Sequence, residues 1–368
     1  MKRWWLAIAA LAWAQAAHAE PDQAPSLFEQ GVKLRNVCDY ADAAAAFERF
    51  AREHPTDGYA PGALRDAIVL RVGLGDDRAA DLDTEQFLRA YGTHTDEAAG
   101  VALSVLLRAS EKEDWATVER EAPRKLPFIE RGPLHLRMAA HATVGRAHAK
   151  RAGDPQATRE YARVRELAKD LKAPPDDDAL AMKRFAKGLD ALGEALVFAA
   201  DEQREASAWP AFPAYAGGDV DGWIASKVTP WIASRSVAIR AVANEYRKVV
   251  EIQPVPPPHW VVDATARVAQ MWSRASDEMF ARVSPRTPKS LLEKLTAAAR
   301  PLRDAEAKPA AVYCIAISVK YQWMDDATRG CGAWLEKTFR REFPPLDERA
   351  ITPPMRSFAA MPVEPVPQ

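Results

Sequence analysis

The chain has 368 residues, a formal net charge of −1 and only three cysteines. A balance this close to zero gives no general attraction to nucleic acid or anionic lipid. Three cysteines are too few for a disulfide-stapled scaffold, so an apolar core must hold the chain together, and its length suits two domains.

Residues 1–19, MKRWWLAIAALAWAQAAHA, join a basic start (Lys2, Arg3) to an apolar run and a small-x-small ending at Ala17 and Ala19. This is the layout of a secretory leader, with cleavage expected between Ala19 and Glu20. The apolar run is too short for a span of about 20 residues. No other stretch is long and apolar enough, so the mature chain is expected to have no transmembrane span; association with the outer membrane stays open.

From Leu27 to Pro55 the spacing predicts two short helices folded back on each other. Gly31 and Ala43 are small residues twelve apart, Tyr40 sits at the bend, Phe47 and Phe50 follow, and Pro55 closes the unit. Small residues let two helix backbones approach, and aromatics fill the seam behind them. One such hairpin has too little apolar face to fold alone and calls for others stacked on it. The pattern recurs at Ala67 and Ala79 with Phe87 and Tyr91, at Leu106 and Val118 with Trp115, and at Gly145 and Ala157 with Tyr161. Turn signals HPTDG, YGTHTD and IERGP lie between. These units resemble tetratricopeptide repeats, which carry such a pattern over about 34 residues. The expected fold is all-α: a tetratricopeptide-like α-solenoid over residues 20–208, forming a right-handed superhelix, then a C-terminal helical region over 209–343.

The segment LKAPPDDDALA reads as a loop in which Asp178 caps a helix running from Ala179 to about Ala208. A calcium loop at Asp176, Asp177 and Asp178 lacks the alternating ligand spacing, and Asp219, Asp221 and Gly222 hold only part of one. WPAFPAYAGGDVDG then ends the array. Beyond it Trp223, Ile224, Val228, Trp231, Val242 and Val249 share roughly one helical face, and Pro230 should kink or restart that helix. IQPVPPPHW is expected to be extended. Helices follow at Val261 to about Val283, Ser290–Leu302 and Ala307–Tyr321, then a bend at Gln322–Asp325 and a last helix to about Phe343. Residues 344–368 are proline-rich without periodicity and are expected to be disordered.

Cys314 and Cys331 lie almost symmetrically about that bend, so an antiparallel helix pair brings them side by side, within reach of a disulfide in an oxidising compartment. The alternative is two reduced, buried thiols. Cys38 is left unpaired and expected to be buried. His141 and His148, two helical turns apart, are too distant to share a zinc ion. No phosphate loop, nucleophile elbow, dinucleotide fingerprint or metal motif occurs, so no enzyme and no cofactor is expected. In tetratricopeptide arrays the first helix of each unit lines a concave groove. That projection places Phe28, Val32, Arg35 and Asn36 there, then Arg71, then Arg146 and Lys150. Such a row suits an acidic segment or a free carboxylate, unless its charges pair locally.

Three stretches carry a more specific likeness: WPAFPAYAGG, EYRKVVEIQPVPPPHWVVDATARVAQMW and CIAISVKYQWMDDATRGCGAWLEKTFRREFPPLDE. With them the mature chain resembles tetratricopeptide-repeat proteins of the cell envelope of myxobacteria and related bacteria, a group that includes a gliding-motility component. Pro230 departs from that pattern. The resemblance implies a non-enzymatic, periplasmic scaffold or adaptor with protein partners in an envelope complex, docked in the groove and around Trp223, Trp231 and Trp260. The other reading is a binding protein for a cell-wall or polysaccharide ligand.

Overall fold

The computed structural model describes residues 23–151, 154–175, 177–281 and 288–343. The expected leader with its Ala19–Glu20 cleavage point, Asp176 and the tail 344–368 lie outside the described residues. Every regular element within them is a helix. The chain divides into two compact units, one holding residues up to Arg108 with Pro123–Gly132, the other holding Ala109–Ala122 and the chain from Pro133 onward.

The first unit contains α1 (Gln23–Asn36), α2 (Tyr40–Glu53), α3 (Ala60–Gly73), α4 (Asp77–Tyr91) and most of α5 (Thr95–Glu111). It also holds the C-terminal part of α6 (Trp115–Ile129), from Pro123 on. From α1 through α4, consecutive helices pack on one another. The predicted seam is realised at Gly31, where a Cβ would lie 2.6 Å from the Phe47 ring. Phe47 and Phe50 are buried, and Phe28 leans on both as well as on Tyr59. Phe28 therefore packs into the hairpin instead of opening onto a groove. The turn after α1 needs a left-handed residue, and Cys38 supplies it at φ 64°. That places its thiol at the surface, correcting the expectation that Cys38 is buried.

The second unit contains α7 (Leu134–Ala149), α8 (Pro155–Leu167), α9 (Ala179–Ala206), α10 (Val220–Trp223), α11 (Thr229–Val250), α12 (Pro258–Phe280), α13 (Lys289–Leu302), α14 (Lys308–Tyr321) and α15 (Asp326–Phe339). Asp178 caps α9 by accepting a hydrogen bond from the Ala181 amide. Gly145 on α7 meets the Tyr161 ring of α8 at 3.2 Å from an added Cβ, the counterpart of Gly31 and Phe47. After this hairpin, α9 packs on α7 and α8, α11 on α9, α12 on α9 and α11, and α15 on α12 and α14. The successive first helices α7, α9, α12 and α15 are thus neighbours along one face.

Pro230 restarts its helix as expected: a π turn, Ile224–Val228, joins α10 to α11 and delivers Pro230 into the first turn of α11. The missing proline amide falls where a looser turn has already replaced the ordinary bonding pattern. The same device, Arg303–Ala307, joins α13 to α14 ahead of Pro309, so the two helices expected there are present and run on continuously as one rod. Trp231 is buried in the core, its indole nitrogen donating to the Pro210 carbonyl at 2.8 Å with Phe212 edge-on.

Candidate functional site

The basic groups expected along a groove fall in both units. In the first, Arg35 on α1 donates to Asp66 of α3 at 2.9 Å, and Asn36 is exposed at the end of α1. Arg71 on α3 donates through Nε to Glu48 at 2.7 Å and approaches Asp76 at 3.6 Å. In the second, Arg146 on α7 binds Glu194 of α9 through two parallel bonds of 2.7 and 2.6 Å and reaches Ser110 Oγ at 3.4 Å. Lys150 lies 5.2 Å from the centre of the Trp115 ring. Each guanidinium already has a carboxylate, which is what buried or half-buried cations require.

Glu48 is shared with Asp83, a buried residue of α4. Burial first, and then the neighbouring Glu48 carboxylate, push the Asp83 pKa up to about 7. A carboxyl held above its unfolded value of about 3.9 binds its proton more tightly in the fold. Its contribution is complete below about pH 4 and lost as pH rises through about 7. Between those limits the wild-type chain is expected to lose stability relative to Asp83→Asn, read from urea midpoints at each pH. Parallel curves would refute the assignment.

The richest constellation lies where α9 meets α7 and α12, all within the second unit. Glu194, 5 % exposed, accepts both Arg146 bonds and the Tyr161 hydroxyl at 2.8 Å. Burial works against the Arg146 charge, but the Glu194 bonds outweigh it and its pKa is raised. Burial and then Glu194 raise that of Tyr161. One turn before, Asp190 projects from the same face, among the described residues without a cation in ion-pair reach; burial of its carboxyl and then the Glu194 charge raise its pKa. Further along α9, Asp201 accepts from Tyr246 at 2.6 Å and from Arg267 Nε at 2.9 Å on both oxygens. Arg267 also bonds Asp263, one turn back on α12.

The start of α12 supplies an aromatic wall. A Cβ on Gly193 would come within 2.6 Å of Pro257 and 2.7 Å of Trp260, so only glycine lets α12 settle this close to α9. The His259 ring lies 4.5 Å from Trp260 and 4.8 Å from Trp323, which precedes α15. Burial lowers the His259 pKa, against the pull of Asp190, Asp325 and Glu194. Sequence reasoning singled out Arg146 but missed Asp190, Glu194, Asp201, His259, Asp263 and Arg267. The available signals were helical spacing, Asp190 to Glu194 and Asp263 to Arg267 at i,i+4, with Gly193 between acids in a proline-free helix.

Cys314 and Cys331 form a disulfide with a Cα separation of 6.6 Å. Gln322 ends α14 in the left-handed conformation at φ 53°, and the Trp323 amide donates back to the Ser318 carbonyl. Asp325 and Thr328 then cap α15 reciprocally. This tight reversal brings the two cysteines together. Among the described residues no group of three or more His, Cys, Asp or Glu side chains is arranged to hold a metal ion. No helix among them is long and apolar enough to cross a membrane.

No family model matches the chain, and no curated protein matches it. Among solved structures, the crystal structure of the P58(IPK) TPR domain is similar, at 13% identity over 88% of this chain and 100% of that chain, with a TM-score of 0.17. A score that low leaves the fold to be argued from the helix hairpins themselves.

Proposed function

We propose that the chain is a non-enzymatic scaffold that holds a segment of a partner protein along the α7–α9–α12–α15 face of its second unit. The observation that carries this reading is the polar stripe on that face. Arg146, Glu194, Asp201, Asp263 and Arg267 are locked by mutual bonds, so a docking chain would pay little to order them. The stripe includes no nucleophile–base pair and no metal constellation among the described residues, so its chemistry suits recognition. Three further features support a place in the cell envelope. The buried disulfide suits an oxidising compartment, residues 1–19 have the layout of an export leader, and the proline joint with the two-cysteine ending resembles myxobacterial envelope proteins. That group includes a gliding-motility component, but the resemblance does not by itself make this chain a motility protein.

The test is site-specific crosslinking in intact cells. A photoreactive residue at Lys187, on the stripe side of α9, is expected to give a discrete adduct whose partner mass spectrometry identifies. The same residue at Val237, exposed on α11, should not. Identical adducts from both positions, or none from Lys187, would overturn the proposal.

A further inference from the structure

The charges of the stripe do not cancel, and the remainder is concentrated at one place. Arg146 is taken by Glu194, while Arg267 and Arg204 together meet Asp201 and Asp263. Asp190 and Asp325 are left, and among the described residues neither has a cation within ion-pair distance. Asp325 spends one oxygen on the Thr328 amide as a helix cap. Between these two carboxylates stands the aromatic wall, with His259 in contact with both Trp260 and Trp323. All three rings are only partly buried, and Asp190 is exposed. The buried Trp260 indole N–H is directed at the Asp190 carboxylate, which places that carboxylate against the wall. It sits over Gly193, one turn from Asp190, so the wall is fixed against the helix that carries the carboxylate.

A carboxylate lacking a counter-ion attracts a cation, and flanking aromatic faces add the attraction of their ring quadrupoles. An anionic segment is disfavoured here, because Glu194, Asp190 and Asp325 would all repel it. We infer that the recess between α9, the start of α12 and the turn before α15 receives a lysine or arginine side chain of the partner, held between Asp190 and the His259–Trp260–Trp323 wall. This rests on the partner-docking reading of the same face and specifies what the partner must bring. The basic row read from the sequence would instead select an acidic ligand; of that row, Arg146 belongs to this stripe and is paired with Glu194.

The probe is an acetylated octalysine peptide titrated into the full chain by calorimetry at low salt, with octaglutamate as its counterpart. Octalysine is expected to bind and octaglutamate not. Asp190→Asn should weaken octalysine binding roughly fivefold to tenfold, and Trp323→Leu by a comparable factor. Glu205→Gln, removing an exposed acid elsewhere on α9, should leave it within about twofold. Asp190→Asn is close in shape and exposed, and its circular dichroism and urea midpoint show whether the fold is kept. Equal binding of the two peptides, or equal losses from Asp190→Asn and Glu205→Gln, would overturn the assignment. If Lys187 crosslinks still capture a partner segment while Asp190→Asn binds octalysine unchanged, docking stands and the cation recess falls. If octalysine obeys the Asp190 dependence but no partner is captured, the docking proposal falls.

Discussion

Replacing Glu194 with alanine is expected to cost the second unit about 3 kcal/mol, because it strands groups on two other helices at once. Arg146 loses both of its short bonds, and the Tyr161 hydroxyl loses its acceptor in a buried seam. An unpaired donor in such a place costs roughly the desolvation of the group itself. The energy comes from the orphaned partners, so removing Arg146 as well should restore part of the loss. Urea unfolding of Glu194→Ala, Arg146→Ala and the double variant measures this as a coupling energy. A single-variant loss below about 1 kcal/mol, or strictly additive losses, would show that the three groups do not act together.

Removing the disulfide through Cys314→Ala with Cys331→Ala should cost a similar amount. The bridge spans a sequence separation of 17, and closing a loop of that size restricts the unfolded chain by about 3 kcal/mol. Both cysteines are buried, so the alanines also leave small voids that add to the loss. Intact mass with and without reductant should differ by two hydrogens, and a maleimide should label one thiol in the unreduced protein, Cys38. Three labelled thiols before reduction would end the assignment. So would an unchanged urea midpoint in the double variant.

What could be read in advance was local. Gly31 with Phe47 and Gly145 with Tyr161 announce their contacts because helix pairing converts a fixed spacing into proximity. Cys314 and Cys331 came from the same logic, symmetry about a turn. The groove chemistry was not local. Arg146 and Glu194 are 48 positions apart, and Arg267 and Asp201 are 66 apart. Nothing in either neighbourhood names the other member. The carboxylates that meet the projected row of arginines come from helices whose packing the sequence does not state. Cys38 failed for a different reason. Burial was argued from residue type, whereas the turn demanded a left-handed backbone and the side chain went where that backbone pointed.

The π turn before Pro309 has a consequence for the geometry of the C-terminal end. Buried positions in this rod step by three or four from Leu291 through Leu295 and Ala299 to Leu302. They then jump by five to Ala307 before resuming at Ala311 and Cys314. In an uninterrupted α-helix one surplus residue would rotate everything downstream by about 100°. The wider turn absorbs that residue, and the apolar stripe leaves it in phase with the stripe that entered. Cys314 therefore still faces Cys331, although the rod that carries it contains a surplus residue and two prolines, Pro301 and Pro309. The chain conserves the angular phase of its buried face and sacrifices regular hydrogen bonding in one turn to do so.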